Sequence, residues 1–191
     1  MALCKHLGLT RVALLGMSQG VRAVLAFAAA APERVQALIL DGPPPLACES
    51  DPEVPLDQYA ALVRTHGVDA FRREWACHPL MQLRTGNAEA RALLAAMIGR
   101  YGAGDLRHPP PRAERGTRVR PESVSAPTLV LSGEYDLAGR QRAARELTAC
   151  LPNAELAEIP AAAHLPNLDN PDAYNRLCRE FLTQHCLRDT F

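Results

Sequence analysis

The chain has 191 residues, and its 21 basic and 21 acidic side chains give a formal net charge of zero. Hydrophobic residues make up 48% of it and charged residues 22%, which is typical of a globular domain and excludes a disordered chain. A protein that holds nucleic acid or an anionic membrane through a strong field carries a large net charge. We therefore expect neither nucleic acid nor a membrane among its partners.

The basic residues are almost all of one kind. Lys5 is the only lysine, so arginine supplies the other 20 basic side chains. Because alanine runs accompany them, the arginines indicate a coding bias rather than a binding surface. They are spread along the chain without a nucleic-acid motif, and we interpret them as solvated charges.

The cysteines indicate a reducing cellular compartment rather than a metal site or a disulfide framework. They lie at Cys4, Cys48, Cys77, Cys150, Cys178 and Cys186. Metal sites need clustered Cys and His, and disulfide frameworks occur in small secreted chains, so neither interpretation fits this spacing. The sequence shows no leader pattern and no apolar run long enough to span a membrane. We predict free thiols, no bound metal and a cytoplasmic location.

The first elements along the chain form a strand, a helix and a second strand. Branched apolar residues favour a buried strand at residues 12–15, and an alanine-rich segment favours a helix at 21–31. A second buried strand follows at 35–40. This order within about thirty residues predicts a βαβ unit with parallel strands.

Residues 45–121 show a different pattern and predict a helical insertion. Apolar side chains recur on one face of three amphipathic segments, which favours helices at 56–66, 68–75 and 88–101. A loop rich in proline and glycine follows them.

After the insertion the alternation of strands and helices resumes. We predict a strand at 126–132, a helix at 139–151, a strand at 155–159 and a helix at 171–185 that Asn170 caps. The core therefore comprises residues 1–44 and 122–191, and the insertion comprises residues 45–121.

A candidate nucleophile lies between the first strand and its helix. Residues 16–20 read Gly-Met-Ser-Gln-Gly, which matches the G-x-S-x-G pattern of a strained turn that exposes its serine. The glycines allow neighbouring backbone to approach, and the helix N-terminus offers N–H groups to a developing oxyanion. We predict that Ser18 is the nucleophile.

A serine nucleophile needs a base, and the base needs a group that fixes its tautomer. His164 follows the last predicted strand in a loop of small residues, so it is the expected base. His78, in the insertion, remains a candidate for facing the substrate. Asp136, in the loop after the strand at 126–132, is the favoured acid, while Asp41 and Glu134 stay as alternatives.

This arrangement resembles the α/β-hydrolase superfamily, whose triad follows the chain order Ser, Asp, His. The resemblance covers the chain apart from residues 45–121, which take the place of a helical cap. It implies Ser18 as nucleophile, Asp136 as the orienting acid and His164 as base. It also implies the Gln19 backbone N–H as one oxyanion donor and no cofactor. The nearest branch comprises cap-bearing esterases, lactonases and C–C-bond hydrolases.

The chain departs from that family at its N-terminus. Family members place further strands before the nucleophile strand, together with a His-Gly segment that gives the second oxyanion donor. We therefore expect an N-terminally truncated member of the family: a fragment, a mis-set start or a remnant gene. The α/β fold would then lack its first strands and expose an apolar edge at residues 12–15. A homodimer that covers this edge is the alternative.

The apolar residues of the insertion are expected to form mainly its own core, while a minority line the substrate pocket. The residues favoured for substrate contact are Met17, Trp75, Leu80 and Met81. The predicted function is hydrolysis of an ester, lactone or similar small carbonyl substrate through an acyl-enzyme on Ser18. One alternative is a catalytically impaired fragment with a structural or interaction role. Another is an acyltransferase or perhydrolase with the same triad.

Overall fold

The computed structural model describes residues 2–46, 51–108 and 119–186. A parallel four-stranded sheet in the order β1-β2-β3-β4 forms its centre. The strands are β1 (Val12–Met17), β2 (Val35–Asp41), β3 (Thr128–Gly133) and β4 (Ala154–Ile159). The predicted α/β class with a parallel sheet is confirmed. Because all strands run the same way, the loops after them meet at one edge of the sheet.

Helices connect and cover the strands. They are α1 (Ala2–His6), α2 (Gly20–Ala30), α3 (Leu56–His66), α4 (Val68–Cys77), α5 (Ala88–Arg100), α6 (Gly104–Arg107), α7 (Ala138–Cys150), α8 (Pro166–Asp169) and α9 (Pro171–Cys186). The longer helices lie where the sequence predicts them, and the Asn170 side chain accepts a hydrogen bond from the Ala173 N–H at the start of α9. The four-residue helices α6 and α8 escape prediction, since one turn is too short to show periodicity.

The sheet has an apolar layer on each face. Along β2, successive side chains point to opposite faces. Leu38 and Leu40 pack in a cluster with α2 and α7, whereas Ala37 and Ile39 pack in a cluster with α9. The helices therefore cover both faces, as expected for a parallel sheet.

Strand β1 forms one edge of the sheet. Within the described residues it pairs with β2 alone, and Leu15 keeps 51% of its surface exposed. The prediction of a buried strand is therefore wrong for β1, because no described strand lies beyond it. The predicted exposed apolar edge is present.

Helices α3 to α6, here called the helical block, lie between β2 and β3 along the chain. The helical block includes the segments that connect these helices. Buried apolar residues from the block and from the segment before it form a separate cluster of Val54, Tyr59, Ala60, Val63, Phe71, Leu80, Ala103 and Leu106. The domain boundaries at residues 45 and 121 stay a prediction. Part of the proline-rich loop and Cys48 lie outside the described residues. Across the described ranges, no helix is both long and apolar enough to cross a membrane.

Candidate active site

Ser18 occupies a strained turn between β1 and α2. Its φ of 50° lies in the left-handed region, which non-glycine residues rarely adopt except at functional sites. The Ser18 N–H donates a hydrogen bond to the Asp41 carbonyl oxygen at 2.8 Å, which ties the turn to the end of β2. A Cβ at Gly16 would lie 2.7 Å from the carbonyl oxygen of Gly20, so only glycine fits there. At Gly20 a Cβ would meet nothing within 4 Å, so the crowding is at the first glycine alone.

His164 and Asp136 are in contact at the same edge of the sheet. His164 Nδ1 lies 3.0 Å from Asp136 Oδ2, and the two residues are only 2% and 7% exposed. The other oxygen of Asp136 accepts the N–H of Leu137 at 2.8 Å. Both carboxyl oxygens therefore have fixed partners, and the imidazole is held through Nδ1.

Asp41 and Gly42 connect the serine turn to the histidine. Asp41 accepts the Ser18 N–H, and Gly42 adopts a φ of 54° directly beside the His164 ring. A Cβ at Gly42 would stand 2.8 Å from His164 Cε1. The Gly42 N–H donates to the Leu131 carbonyl oxygen at 3.0 Å, which anchors this dipeptide to β3. The end of β2 thus touches both Ser18 and His164.

Asp41, the first alternative acid, is buried and does not contact the imidazole. It is 1% exposed, and neither carboxyl oxygen has a hydrogen bond of ordinary geometry with a described residue. Burial, followed by the nearby Asp136 carboxylate, raises the pKa of Asp41 to about 8, against the opposing effect of the Tyr174 hydroxyl. At neutral pH the Asp41 carboxyl is therefore largely protonated.

Glu134, the second alternative acid, holds the backbone of the histidine loop. Its Oε2 accepts the N–H of Ala161 at 2.8 Å. That N–H first, and then the Tyr135 hydroxyl, lower the pKa of Glu134 below its ordinary value. Among the described residues, Asp136 is therefore the only one of the three candidates in contact with His164.

A buried ion pair next to the serine turn escaped the sequence analysis. Arg140 on α7 is fully buried, and its Nη2 lies 2.5 Å from Asp51 Oδ2. Its Nε lies 2.9 Å from Glu53 Oε2. The Gln19 side chain donates to the same Asp51 oxygen at 3.1 Å, which links the residue after Ser18 to α7. One feature of the sequence could have indicated that Arg140 is buried: it lies on the apolar face of α7 together with Leu147.

The residues predicted to touch substrate divide between the sheet and the helical block. Met17 ends β1 next to Ser18 and is half-buried. Leu80 is 2% exposed within the block's own cluster, and Met81 packs against that cluster. Trp75 stacks on His78, with ring centroids 4.7 Å apart. This packing fits a core role for the three block residues, and their contact with substrate stays a prediction.

His78 is engaged within the helical block. Its Nε2 lies 2.9 Å from the Glu53 carbonyl oxygen, and its Nδ1 accepts the Leu80 N–H at 3.2 Å. Both ring nitrogens therefore have protein partners, which leaves neither for a substrate in this arrangement.

The family model for the alpha/beta hydrolase fold matches residues 2–171. The chain belongs to the α/β-hydrolase family. Its resemblance to that family, expected from the order of Ser18, Asp136 and His164, is confirmed.

Enzymes are among the relatives of this α/β-hydrolase. It is 27% identical over 198 residues to a Bacillus subtilis protein assigned as a 2-succinyl-6-hydroxy-2,4-cyclohexadiene-1-carboxylate synthase, covering 93% of this chain and 68% of that protein. It is 28% identical over 194 residues to 2-hydroxy-6-oxononadienedioate/2-hydroxy-6-oxononatrienedioate hydrolase 2 of Pseudomonas putida, covering 94% and 65%.

A solved structure agrees with this family assignment. A thermophilic esterase from Thermogutta terrifontis superimposes with a TM-score of 0.79 at 27% identity, covering 96% of this chain and 69% of the esterase. The chain is an enzyme of the α/β-hydrolase type. It spans about two thirds of the length of the curated relatives that it matches.

Proposed function

We propose that this α/β-hydrolase cleaves a small ester, lactone or similar carbonyl compound through an acyl-enzyme on Ser18. The observation that carries the proposal is the buried 3.0 Å contact between His164 Nδ1 and Asp136 Oδ2, at the sheet edge that also holds Ser18. A histidine held by a carboxylate through Nδ1 keeps Nε2 for the proton of a serine hydroxyl. Ser18 is the hydroxyl that the strained turn offers.

Acylation of Ser18 is the first half of the proposed reaction. His164 Nε2 takes the hydroxyl proton while Ser18 Oγ attacks the carbonyl carbon of the substrate. Asp136 holds the imidazole in the tautomer with its proton on Nδ1 and stabilises the imidazolium that forms. The imidazolium then gives its proton to the leaving group as the substrate bond breaks, which leaves the acyl group on Ser18 Oγ.

The developing oxyanion needs donors near the start of α2. The Gln19 backbone N–H is the proposed donor, and the positive end of the α2 dipole adds to it. The Gln19 side chain donates a hydrogen bond to Asp51, which anchors the residue that carries this N–H. Removal of one such donor typically lowers kcat by about 10² to 10³.

Deacylation reverses the proton path. His164 Nε2 takes a proton from a water molecule, the resulting hydroxide attacks the acyl carbon, and Ser18 Oγ leaves with the proton from the imidazolium. The free acid is the product. The protonated Asp41 carboxyl adds no second negative charge beside Asp136 at neutral pH, which supports a single anionic partner for the imidazolium.

The relatives support a hydrolytic reaction. The esterase and the Pseudomonas putida hydrolase are named for hydrolytic reactions. We extend only this reaction type to the present chain. The pocket that selects the acyl group is proposed to include Met17 and the block residues Trp75, Leu80 and Met81.

The test is covalent labelling of the wild-type chain with a fluorophosphonate probe, followed by mass spectrometry of the labelled peptide. We expect one phosphonyl group on Ser18, no labelling of Ser18→Ala, and no hydrolysis of p-nitrophenyl acetate by that variant. Ser125→Ala, at an exposed serine before β3, is the matched control and keeps wild-type labelling. Labelling that persists in Ser18→Ala contradicts the assignment.

A further inference from the structure

The Asp169 side chain joins the helical block to the loop that carries His164. Its Oδ1 accepts the backbone N–H groups of Arg84 and Thr85, at 2.6 and 2.9 Å. Its Oδ2 accepts the backbone N–H of Ala163 at 2.8 Å. Hydrogen bonds to an ionised carboxylate are roughly twice as strong as those between neutral groups. One carboxylate therefore holds three backbone groups from two distant parts of the chain.

The two segments that it joins are far apart in sequence and belong to the helical block and to the loop that carries His164. Arg84 and Thr85 belong to the stretch of the helical block between the Pro79–Met81 turn and α5. Ala163 comes directly before His164, and Asp169 itself ends α8, the turn after that histidine. The backbone on both sides of His164 is thus connected through Asp169 to the block.

A second contact joins the same block segment to the acid loop. The Arg84 guanidinium carbon lies 4.7 Å from the centre of the Tyr135 ring, within the range of a cation–π interaction. Tyr135 directly precedes Asp136, and its N–H donates to the Ala162 carbonyl oxygen at 2.8 Å. The segment around Arg84 therefore contacts both loops that carry the His164–Asp136 pair.

We infer that Asp169 is a positioning residue that couples the helical block to His164. The inference rests on the proposed function for its effect on turnover, but the coupling itself is a property of the described structure. Without Asp169, the Ala163 N–H loses its acceptor, and the loop that carries the imidazole loses its contact with the helical block. A displacement of about 1 Å in a reacting group can lower the rate about 10²-fold.

The variants distinguish the contacts of Oδ1 with the helical block from the contact of Oδ2 with Ala163. Asp169→Ala removes the contacts of both oxygens. Asp169→Asn keeps one acceptor oxygen and turns an NH₂ group towards the N–H partner of the other, so it preserves the contacts of one oxygen at most. Asp172→Asn, at an exposed carboxylate on the first turn of α9, is the matched control for charge loss and leaves both segments attached.

The measurements are steady-state kinetics with p-nitrophenyl acetate and amide hydrogen exchange at Ala163 and Thr85. For Asp169→Ala we expect kcat to fall about 10- to 100-fold with little change in KM, and both amides to exchange faster than in the wild type. Asp169→Asn should give an intermediate kcat. A purely structural role would lower the Tm without this separation of kcat from KM.

The outcomes distinguish the coupling from the proposed function. The coupling is overturned when folded Asp169→Ala keeps the wild-type kcat or the wild-type exchange rate at Ala163. When the wild-type chain does not hydrolyse the ester, the proposed function fails, and the exchange rates at Ala163 and Thr85 still decide the coupling by themselves. Equal effects of Asp169→Ala and Asp172→Asn also overturn it.

Discussion

The His164 imidazole lies directly against the Gly42 backbone, where a Cβ would stand 2.8 Å from Cε1 and 3.0 Å from Nδ1. Gly42 also has a φ of 54°, so any side chain there meets both backbone strain and the His164 ring. The fold therefore requires a glycine at the end of β2 to seat the proposed base against Asp136.

Gly42→Ala should displace His164 from Asp136. We expect kcat/KM for p-nitrophenyl acetate to fall about 10²-fold, since a misplaced base loses its alignment with the serine. Gly99→Ala, inside α5 where nothing lies within 4 Å of the new Cβ, is the control. It should keep full activity and gain about 0.5–1 kcal/mol of stability from helix propensity. A Gly42→Ala variant with wild-type activity would contradict the requirement.

The raised pKa of Asp41 predicts a specific pH dependence of stability. Its pKa is about 8 in the folded chain against 3.8 for the free group, so the folded state binds the extra proton between these values. The free energy of unfolding therefore falls as the pH rises from about 4 to about 8, and this contribution is flat outside that window. Asp41→Asn removes it.

Urea unfolding of Asp41→Asn and of the wild type across this pH range checks the effect. We expect the stability of the variant relative to the wild type to grow steadily up to about pH 8. Asp172→Asn, an exposed carboxylate on α9, serves as the control for the loss of a surface charge. A constant difference between Asp41→Asn and the wild type would show that Asp41 does not titrate in this window.

Arg140 should be far more important for stability than its neighbour Arg142. Arg140 is fully buried against Asp51, and removal of one partner of a buried ion pair typically costs about 3–5 kcal/mol, because the remaining charge is left unpaired. Arg142 is exposed in a 3.8 Å pair with Glu146, which is worth about 0–1 kcal/mol at most.

Urea unfolding of Arg140→Met and Arg142→Met measures this contrast. The double variant Arg140→Met/Asp51→Asn should recover part of the loss, since it leaves no buried charge of the pair unpaired. Full additivity of the two substitutions would show that Arg140 and Asp51 do not interact. Because Asp51 also holds the Gln19 side chain, we expect kcat to fall in Arg140→Met as well.

Local patterns were sufficient to predict the strands and the longer helices of this fold. The helix at 56–66 was predicted with the bounds of α3 because its apolar side chains recur on one face over the whole segment. The serine turn was equally recognisable, since its glycines and its place between a strand and a helix are adjacent in sequence. The contact between Asp136 and His164 was expected because each residue follows a predicted strand and because the family resemblance implies the pair.

Other contacts between residues far apart in the sequence could not be predicted from local patterns. The pairing of Arg140 with Asp51 spans 89 positions, and nothing in either local segment identifies its partner. The apolar run at β1 predicts a buried strand whether or not another strand covers it, so the exposed edge was expected from the family resemblance and not from the local pattern. The Asp169 contacts with Arg84 and Thr85 use backbone N–H groups, which every residue except proline possesses, so no residue type marks them.

The exposed edge of β1 predicts self-association of this chain. Leu15 is 51% exposed on an edge strand whose outer backbone groups pair with no described strand, and such edges recruit further strands. We expect analytical ultracentrifugation to show a concentration-dependent dimer for the wild type and a monomer for Leu15→Lys, since a charged side chain blocks strand pairing. Leu93→Lys, at a comparably exposed leucine on α5, should dimerise like the wild type. A monomeric wild type would exclude the homodimer through this edge.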